Sequence, residues 1–194
     1  MIKIGLIGCG RISKNHFEAI AQQENAQCIM CCDIIKERAK EASIKNKIPV
    51  WTDNYADLLA YPDIDLISIC TPSGLHPEHG ILAAKAGKHV LTEKPMACRL
   101  EEADNLIKAC DEAGVKLFVV LQNRLNPSIQ LVRRAFEEGR FGKIYMITSN
   151  VFWTRPQEYY DMAPWRGTWK LDGGAFMNQA SHYVDMVQWF GGSI

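Results

Sequence analysis

The chain has 194 residues, of which 47% are hydrophobic, with 22 basic and 22 acidic side chains and a pI near 6.9. The length exceeds one typical domain and the composition can fill a core, so we expect one complete domain and part of a second. Balanced charge gives no field that would collect nucleic acid or an anionic membrane, and the sequence predicts neither partner.

The start of the chain, MIKIGLIGCGRIS, has neither a signal-peptide cleavage site nor a stretch long enough to span a bilayer. The seven cysteines fall mostly inside apolar runs, where a cysteine behaves as a small hydrophobe. Together these features predict a cytoplasmic protein.

Apolar runs of strand length alternate with helical patterns, which predicts a parallel sheet covered by helices on both faces. The predicted strands are residues 3–7, 28–32, 66–70, 89–92 and 116–121, and the predicted helices are 12–22, 36–45, 78–86 and 101–113. This order predicts a Rossmann-type, doubly wound α/β domain over residues 1–122.

A different rhythm begins near residue 123. Asn126 as N-cap and Pro127 in the first turn predict a helix that ends at Gly139, and the segment KIYMITSNVFW (143–153) predicts a strand. We therefore assign residues 123–194 to part of an α+β domain. One strand is too few for an independent sheet, so we expect this domain to be truncated.

The glycines in the segment KIGLIGCGRIS predict a dinucleotide site. Gly8 permits a tight turn, Gly10 lets a pyrophosphate approach the backbone, and Ser13 is a small third residue. Asp33, at the end of the second strand, can hold the ribose hydroxyls and disfavours a 2′-phosphate, which indicates NAD. Lys36 and Arg38 keep NADP possible.

Two further segments follow strand ends. CTPSGLH (70–76) lies where a doubly wound sheet offers its carboxyl edge to ligands, although an ordinary strand-to-helix loop would look the same. In LTEKP (91–95), Pro95 favours an extended Lys94, whose ammonium can then project over the nicotinamide position. The alternative is that Lys94 is only a solvated charge.

Cys28, Cys31 and Cys32 suggest metal or redox chemistry only weakly, because no second CxxC or histidine pair completes a ligand set. We predict no metal site.

The segment VFWTRPQEYYDMAPWRGTWK (151–170) combines aromatic rings with two arginines. Rings stack on sugars and bases, and guanidinium groups bind phosphates or carboxylates, although a loop packed on its own aromatics is the alternative. A helix after Gly174 has an apolar face and an opposite stripe that includes Asn178, His182 and Asp185. The stripe predicts either a catalytic edge or only the solvated side of the helix.

In their order and spacing, the segments GLIGCGRIS, CTPSGLH, LTEKP, QNRLNP and GGAFMNQASHYVD resemble the Gfo/Idh/MocA oxidoreductases, and the resemblance covers the whole chain. Within that family, residues 154–185 most resemble the UDP-N-acetylglucosaminuronate 3-dehydrogenases of bacterial surface-polysaccharide (O-antigen) synthesis. The resemblance implies NAD-dependent oxidation of a sugar 3-hydroxyl, with Lys94 and His182 as catalytic residues. It also implies a homo-oligomer, a dimer or tetramer, for the full-length enzyme.

The resemblance assigns further residues to the ligands. The cofactor-binding residues are Gly8, Gly10, Arg11, Ile12, Asp33, Thr71, Pro72, His76, Glu93, Lys94 and Gln122. The residues that bind the nucleotide sugar are Lys94, Arg155, Trp165, Arg166, Asn178 and His182. Many members have an aspartate where Asn178 stands, and because an amide cannot act as a base, proton transfer would fall more heavily on His182 or Lys94. The alternatives are another sugar or inositol dehydrogenase of the family and a non-catalytic NAD-binding regulator.

Overall fold

A computed structural model describes residues 1–192 of the chain. The chain divides into two compact units, Met1–Val119 and Val120–Ile194. This division lies three residues before the boundary that the change of sequence rhythm predicts.

The first unit is built on a parallel six-stranded sheet. Its strands are β1 Ile2–Ile7, β2 Ala26–Cys32, β3 Val50–Thr52, β4 Leu66–Ile69, β5 His89–Thr92 and β6 Leu117–Val119. The strand order is β3-β2-β1-β4-β5-β6, so successive strands are added on one side of β1 up to β3 and on the other side from β4 onward. This is the Rossmann arrangement, and it confirms the predicted fold class.

Helices connect the strands and cover the sheet. They are α1 Ser13–Ala21, α2 Lys36–Asn46, α3 Tyr55–Ala60, α4 His76–Lys85 and α5 Leu100–Glu112. The sequence analysis missed β3 and α3. Two buried clusters form the core, one around Ile67, Ile69 and Leu106 and the other around Leu6, Phe17 and Cys31. Burial on both faces of the sheet explains why the strands are continuously hydrophobic.

Helices are the only regular elements among the described residues of the second unit, and residues 144–156 lie in none of them. A 3-10 helix, Gln122–Leu125, precedes α6 Pro127–Glu137, α7 Gln157–Asp161, α8 Gly174–Asn178 and α9 Ser181–Gly191. The strand predicted at residues 143–153 is wrong, since these residues have no strand hydrogen bonds. A strand requires backbone pairing with a neighbour, and the described part of this unit contains no segment that pairs with it.

The single helix predicted after Gly174 is also wrong. The α-helix is interrupted at Gln179 and Ala180, so Asn178 is the last residue of α8 and His182 is the second residue of α9. Phe176, assigned to an apolar face, is 79% exposed, whereas His182, assigned to a polar stripe, is 7% exposed. His182 therefore does not lie on the solvated side of a helix.

Within residues 1–192, no helix combines the length and the hydropathy that a membrane crossing requires.

Candidate functional site

The turn between β1 and α1 needs glycine at its first position. Gly8 has a φ of 91°, and a Cβ on it would lie 2.7 Å from the carbonyl carbon of Cys70. Only glycine combines this left-handed conformation with such a close approach to the neighbouring strand. The Ser13 hydroxyl closes the turn by donating a 2.7 Å hydrogen bond to the carbonyl of Gly10.

This turn fits the pyrophosphate of a dinucleotide. No protein atom lies within 4 Å of a Cβ built on Gly10, so the backbone there is open to a ligand. The first turn of α1 follows directly, and its N–H groups and the helix dipole favour a negative charge. No acidic side chain lies in that turn. Arg11 is exposed and Ile12 half-buried at its entrance.

Asp33, at the end of β2, lies beside the same turn and is 7% exposed. One carboxylate oxygen accepts a hydrogen bond from the backbone N–H of Cys9 and the other from that of Ile35, both at 2.8 Å. Asp33 therefore links the glycine turn to the chain that leaves β2. Its predicted role with the ribose hydroxyls remains a prediction.

The two segments that follow β4 and β5 are joined by His76, which is 1% exposed. One ring nitrogen lies 2.7 Å from the carbonyl oxygen of Pro95 and the other 2.9 Å from that of Thr71. His76 thus positions the loops that carry Thr71, Pro72 and Lys94, and its ring does not face solvent. The Lys94–Pro95 peptide bond is cis.

A buried polar chain behind Lys94 was missed by the sequence analysis. His16 of α1 lies 2.8 Å from the hydroxyl of Ser68 and 2.9 Å from a carboxylate oxygen of Glu93. The other oxygen of Glu93 accepts a 3.2 Å hydrogen bond from the backbone N–H of Lys94. His16, the fourth residue of α1, was the signal that could have revealed these contacts, because it falls on the face of the helix that packs on the sheet.

The cysteines near the glycine turn are free thiols. Burial raises the pKa of both Cys28 and Cys32 to about 12, so both are protonated near neutrality. No group of three or more potential metal ligands occurs among the residues the structure describes.

In the second unit, Gln122 and His182 lie side by side, with 3.3 Å between Nε2 of the amide and Nε2 of the imidazole. An amide nitrogen only donates, so at this contact the histidine nitrogen presents its lone pair. A nitrogen that presents a lone pair is able to accept a proton. Gln122, predicted to bind the cofactor, thus also orients the predicted catalytic histidine.

Arg124 and Asp185 form a bidentate ion pair. Nε of the guanidinium donates to one carboxylate oxygen at 2.8 Å, and Nη2 donates to the other at 2.5 Å. The hydrogen bond to Asp185 raises the pKa of Arg124, and the guanidinium also lies 5.1 Å from the ring centre of Trp189. Asp185 of the predicted stripe therefore serves to fix α9 to the 3-10 helix that contains Arg124.

Asn178 donates a hydrogen bond to Asp172, a carboxylate that is 1% exposed. Asp172 also accepts a 2.7 Å hydrogen bond from the backbone N–H of Gly167. This carboxylate, which the sequence analysis missed, ties the loop after Arg166 to the end of α8. The spacing of six residues between Asp172 and Asn178 gave no periodic signal.

The predicted substrate-binding arginines form a layered arrangement, here called the arginine–aromatic stack, made of Trp153, Arg155, Tyr159, Arg166 and Trp165. The ring of Tyr159 lies between the two guanidinium groups, at 5.1 Å from Arg155 and 4.2 Å from Arg166. Trp153 and Trp165 flank the arginines at 4.9 Å and 5.0 Å. Sequence reasoning missed the central place of Tyr159.

One N–H group of Arg155 is used within the loop, because its Nη1 donates a 3.1 Å hydrogen bond to the carbonyl of Thr154. The Nε atoms of Arg155 and Arg166 are buried and have no hydrogen-bond partner. Buried donors without an acceptor are costly, and a phosphate or carboxylate would satisfy them in a fork geometry.

Comparison with known proteins identifies the family of this chain. Residues 2–121 match an oxidoreductase family described as an NAD-binding Rossmann fold, and residues 129–194 match the GFO/IDH/MocA C-terminal domain. The myo-inositol 2-dehydrogenase of Thermotoga maritima is 28% identical over 98% of this chain and 55% of its own length. The chain spans about half the length of the curated relatives it matches.

Two solved structures are more similar. The WlbA dehydrogenase of Bordetella pertussis, crystallised with NADH and UDP-GlcNAcA, is 56% identical over 97% of this chain and 55% of that protein, with a TM-score of 0.94. The WlbA dehydrogenase from Chromobacterium violaceum, with the same two ligands, is 52% identical over the same shares, also with a TM-score of 0.94. The matched sequence profiles and the Rossmann topology show that the chain belongs to the Gfo/Idh/MocA oxidoreductase family.

Proposed function

We propose that this protein uses NAD to oxidise the 3-hydroxyl of a UDP-N-acetylhexosaminuronate to a 3-keto sugar. The observation that carries the proposal is the 56% identity, over 97% of the chain, to a dehydrogenase crystallised with NADH and UDP-GlcNAcA. The inositol dehydrogenase of Thermotoga is half as similar, at 28%. We further propose that the reaction serves surface-polysaccharide (O-antigen) precursor synthesis in the cytoplasm, where free cysteines like these persist.

The local geometry supports this substrate class. A UDP-hexosaminuronate carries a diphosphate and a carboxylate, and the arginine–aromatic stack offers two buried Nε donors that need an anionic acceptor. The aromatic rings of the stack supply faces for a sugar or base. A free polyol such as inositol has no anion to satisfy these donors.

In the proposed reaction, the C3–H bond breaks and its hydrogen leaves as hydride, while the hydroxyl proton goes to a protein base. NAD⁺ supplies the hydride acceptor when bound. His182 accepts the proton at Nε2 once the substrate hydroxyl replaces the Gln122 amide as the donor to that lone pair. Lys94 hydrogen-bonds the hydroxyl oxygen and stabilises the negative charge that develops on it. Asn178, whose amide is engaged with Asp172, takes no proton.

A substrate panel tests the proposal. NADH formation by the full-length protein, since we expect the 194-residue chain alone to turn over little or no substrate, is followed at constant NAD⁺ with UDP-GlcNAcA, UDP-N-acetylglucosamine, free N-acetylglucosaminuronate and inositol. We expect oxidation of UDP-GlcNAcA and at least about tenfold lower kcat/KM for the compounds that lack the carboxylate or the nucleotide, since each loses a charge-assisted contact. Preferential oxidation of inositol would identify a polyol dehydrogenase, and binding of NAD with no oxidation of any sugar would favour a regulator.

Two variants test the assigned chemistry. His182→Asn keeps the approximate size and removes the base, so turnover should fall roughly 100-fold or more with little change in NAD affinity. Lys94→Met should also lose turnover, through lost stabilisation of the alkoxide. Rising pH should partly rescue His182→Asn, where hydroxide replaces the base, and should not rescue Lys94→Met. If His182→Asn retains turnover and only unfolds earlier, the base is Lys94.

A further inference from the structure

The buried chain Ser68–His16–Glu93 connects the three parts of the first unit that approach a dinucleotide. His16 lies on α1, whose first turn follows the glycine loop, and Ser68 lies on β4, before the Thr71 loop. Glu93 follows β5 and precedes Lys94. The exposed fractions of Ser68, His16 and Glu93 are 0%, 8% and 7%, so water does not replace these contacts.

The donors and acceptors in the hydrogen-bonded series Ser68–His16–Glu93 are consistent with a single tautomer of His16. A carboxylate only accepts, so the 2.9 Å contact with Glu93 requires a proton on Nε2 of His16. Nδ1 then accepts from the hydroxyl of Ser68 at 2.8 Å. The imidazole is thus held from both sides and cannot rotate without breaking a buried hydrogen bond.

Both oxygens of the Glu93 carboxylate have donors. His16 donates to one, and the backbone N–H of Lys94 donates to the other at 3.2 Å. A buried carboxylate is costly when it lacks hydrogen bonds, so removing the imidazole would force Glu93 to move toward water or another donor. Movement of Glu93 would displace the backbone of Lys94, to which it is directly bonded.

We propose that His16 is a positioning residue for Lys94: through Glu93 it fixes the backbone at Lys94 relative to the helix that carries the glycine loop. The inference rests on the proposed function for the role of Lys94, and it gives His16 no contact with substrate. A purely structural histidine would instead contribute stability evenly across the first unit.

Three variants of the 194-residue chain separate these roles. His16→Leu removes both hydrogen bonds, whereas His16→Gln offers an amide N–H to Glu93 and an oxygen to Ser68. Ser43→Ala is the matched control, because Ser43, on α2, donates a buried 2.8 Å hydrogen bond to the carbonyl of Ile48 that the change removes. The readouts are NADH affinity by fluorescence titration and amide hydrogen exchange by NMR.

In His16→Leu, we expect exchange at residues 92–96 to accelerate at least about tenfold more than exchange in β1, and NADH affinity to fall about tenfold. His16→Gln should stay within about threefold of the original chain in both readouts. Ser43→Ala should accelerate β1 and residues 92–96 equally and leave NADH affinity unchanged. If His16→Leu does not fold, Ser68→Ala, which removes only the outer hydrogen bond, should show the same pattern to a smaller extent.

Equal acceleration of all amides in His16→Leu, with unchanged NADH affinity, would overturn the proposal. A His16→Gln variant as defective as His16→Leu would also overturn it. Neither readout uses a sugar, so a wrong substrate assignment leaves this test intact. If NADH does not bind at all, the proposed cofactor is wrong, while the exchange at residues 92–96 still decides the role of His16.

Discussion

Asp33 shows how one side chain can serve the fold and a ligand together. Its carboxylate accepts hydrogen bonds from the N–H groups of Cys9 and Ile35, so it shapes the glycine turn before any ligand is present. We predict that the same negative charge meets the ribose hydroxyls of a dinucleotide, where it would oppose a 2′-phosphate.

We therefore expect NAD to bind more tightly than NADP. Asp33→Ala should weaken NAD binding by about 1–3 kcal/mol, because it removes a carboxylate from two buried donors and from the ribose. Isothermal titration calorimetry with both cofactors measures the effect. NADP binding equal to or tighter than that of NAD by the unaltered chain would contradict the assignment.

Asn178 shows why an amide suits its position. The neighbouring side chain is the buried carboxylate of Asp172. An aspartate at 178 would bring two carboxylates together, whereas an amide donates to the one already there.

Asn178→Asp should lower the free energy of unfolding at pH 7 by about 1–3 kcal/mol, since two like charges would share a buried site. The exchanged pair, Asp172→Asn with Asn178→Asp, restores one donor and one acceptor and should recover part of the loss. Urea unfolding of the original chain, the Asn178→Asp variant and the exchanged pair measures the effect. An Asn178→Asp chain as stable as the original would show that the contact is unimportant.

At the scale of elements, α4 holds the ligand loops by means of two histidines. The two ring nitrogens of His76 lie against the carbonyls of Thr71 and Pro95, where a neutral ring donates its one N–H to one of them, and His79 lies 3.1 Å from the hydroxyl of Thr71. Burial lowers the pKa of both imidazoles below the usual value of 6.5 and outweighs the carbonyls that raise the pKa of His76. The folded state therefore prefers both rings neutral.

This preference predicts how stability changes with pH. Below about pH 6.5 the unfolded chain binds protons that the folded chain resists, so the free energy of unfolding should fall as the pH drops from 7.5 to 5.5. His79→Gln should reduce that loss. Urea titrations of the original chain and of the variant at the two pH values measure the difference. Stability that rises toward pH 5.5 would contradict the pKa directions.

The elements also show what the sequence could predict. Buried strands form continuous apolar runs and amphipathic helices have a clear period, so five of the six strands and the Rossmann topology followed from the pattern. The three residues of β3 lie between Pro49 and Asp53 outside any such run, unlike those of β6, and α3 has six residues, too few to show a period. Residues 143–153 have strand propensity, but propensity does not provide a pairing partner. The break between α8 and α9 depends on local hydrogen bonds that an apolar spacing cannot reveal.

The site was predictable to a similar degree. The glycine turn and Asp33 could be located because a strand, a turn and a helix occur together in sequence. The Ser68–His16–Glu93 chain joins residues up to 77 positions apart, and no local pattern carries that information. The same holds for Gln122 beside His182, which are 60 residues apart.

For the whole molecule, the two units divide the chemistry. The first contains the features that fit a dinucleotide, and the second contains His182 and the arginine–aromatic stack. The second unit also exposes several large apolar side chains, among them Tyr145 at 85%, Phe152 at 91% and Trp169 at 85%. Exposed apolar surface of this kind marks interaction sites in stable proteins.

We therefore expect the 194-residue chain to self-associate, in line with the predicted homo-oligomer. Multi-angle light scattering over a range of concentrations should show a mass that rises above that of the 21.9 kDa chain. Phe152→Ser should reduce the association, because it removes one of the most exposed rings. A single monomeric species at high concentration would contradict this expectation.

In the proposed reaction, hydride leaves carbon 3 of a UDP-hexosaminuronate for NAD⁺. Isotope transfer tests this step directly: the full-length protein, in excess, is incubated with NAD⁺ and UDP-GlcNAcA deuterated at carbon 3 or at carbon 4, and the NADH formed is analysed by mass spectrometry. We expect NADH heavier by one mass unit (about 1 Da) from the 3-deuterated sugar and unlabelled NADH from the 4-deuterated sugar. Label arriving from carbon 4, or unlabelled NADH from both sugars, would contradict it.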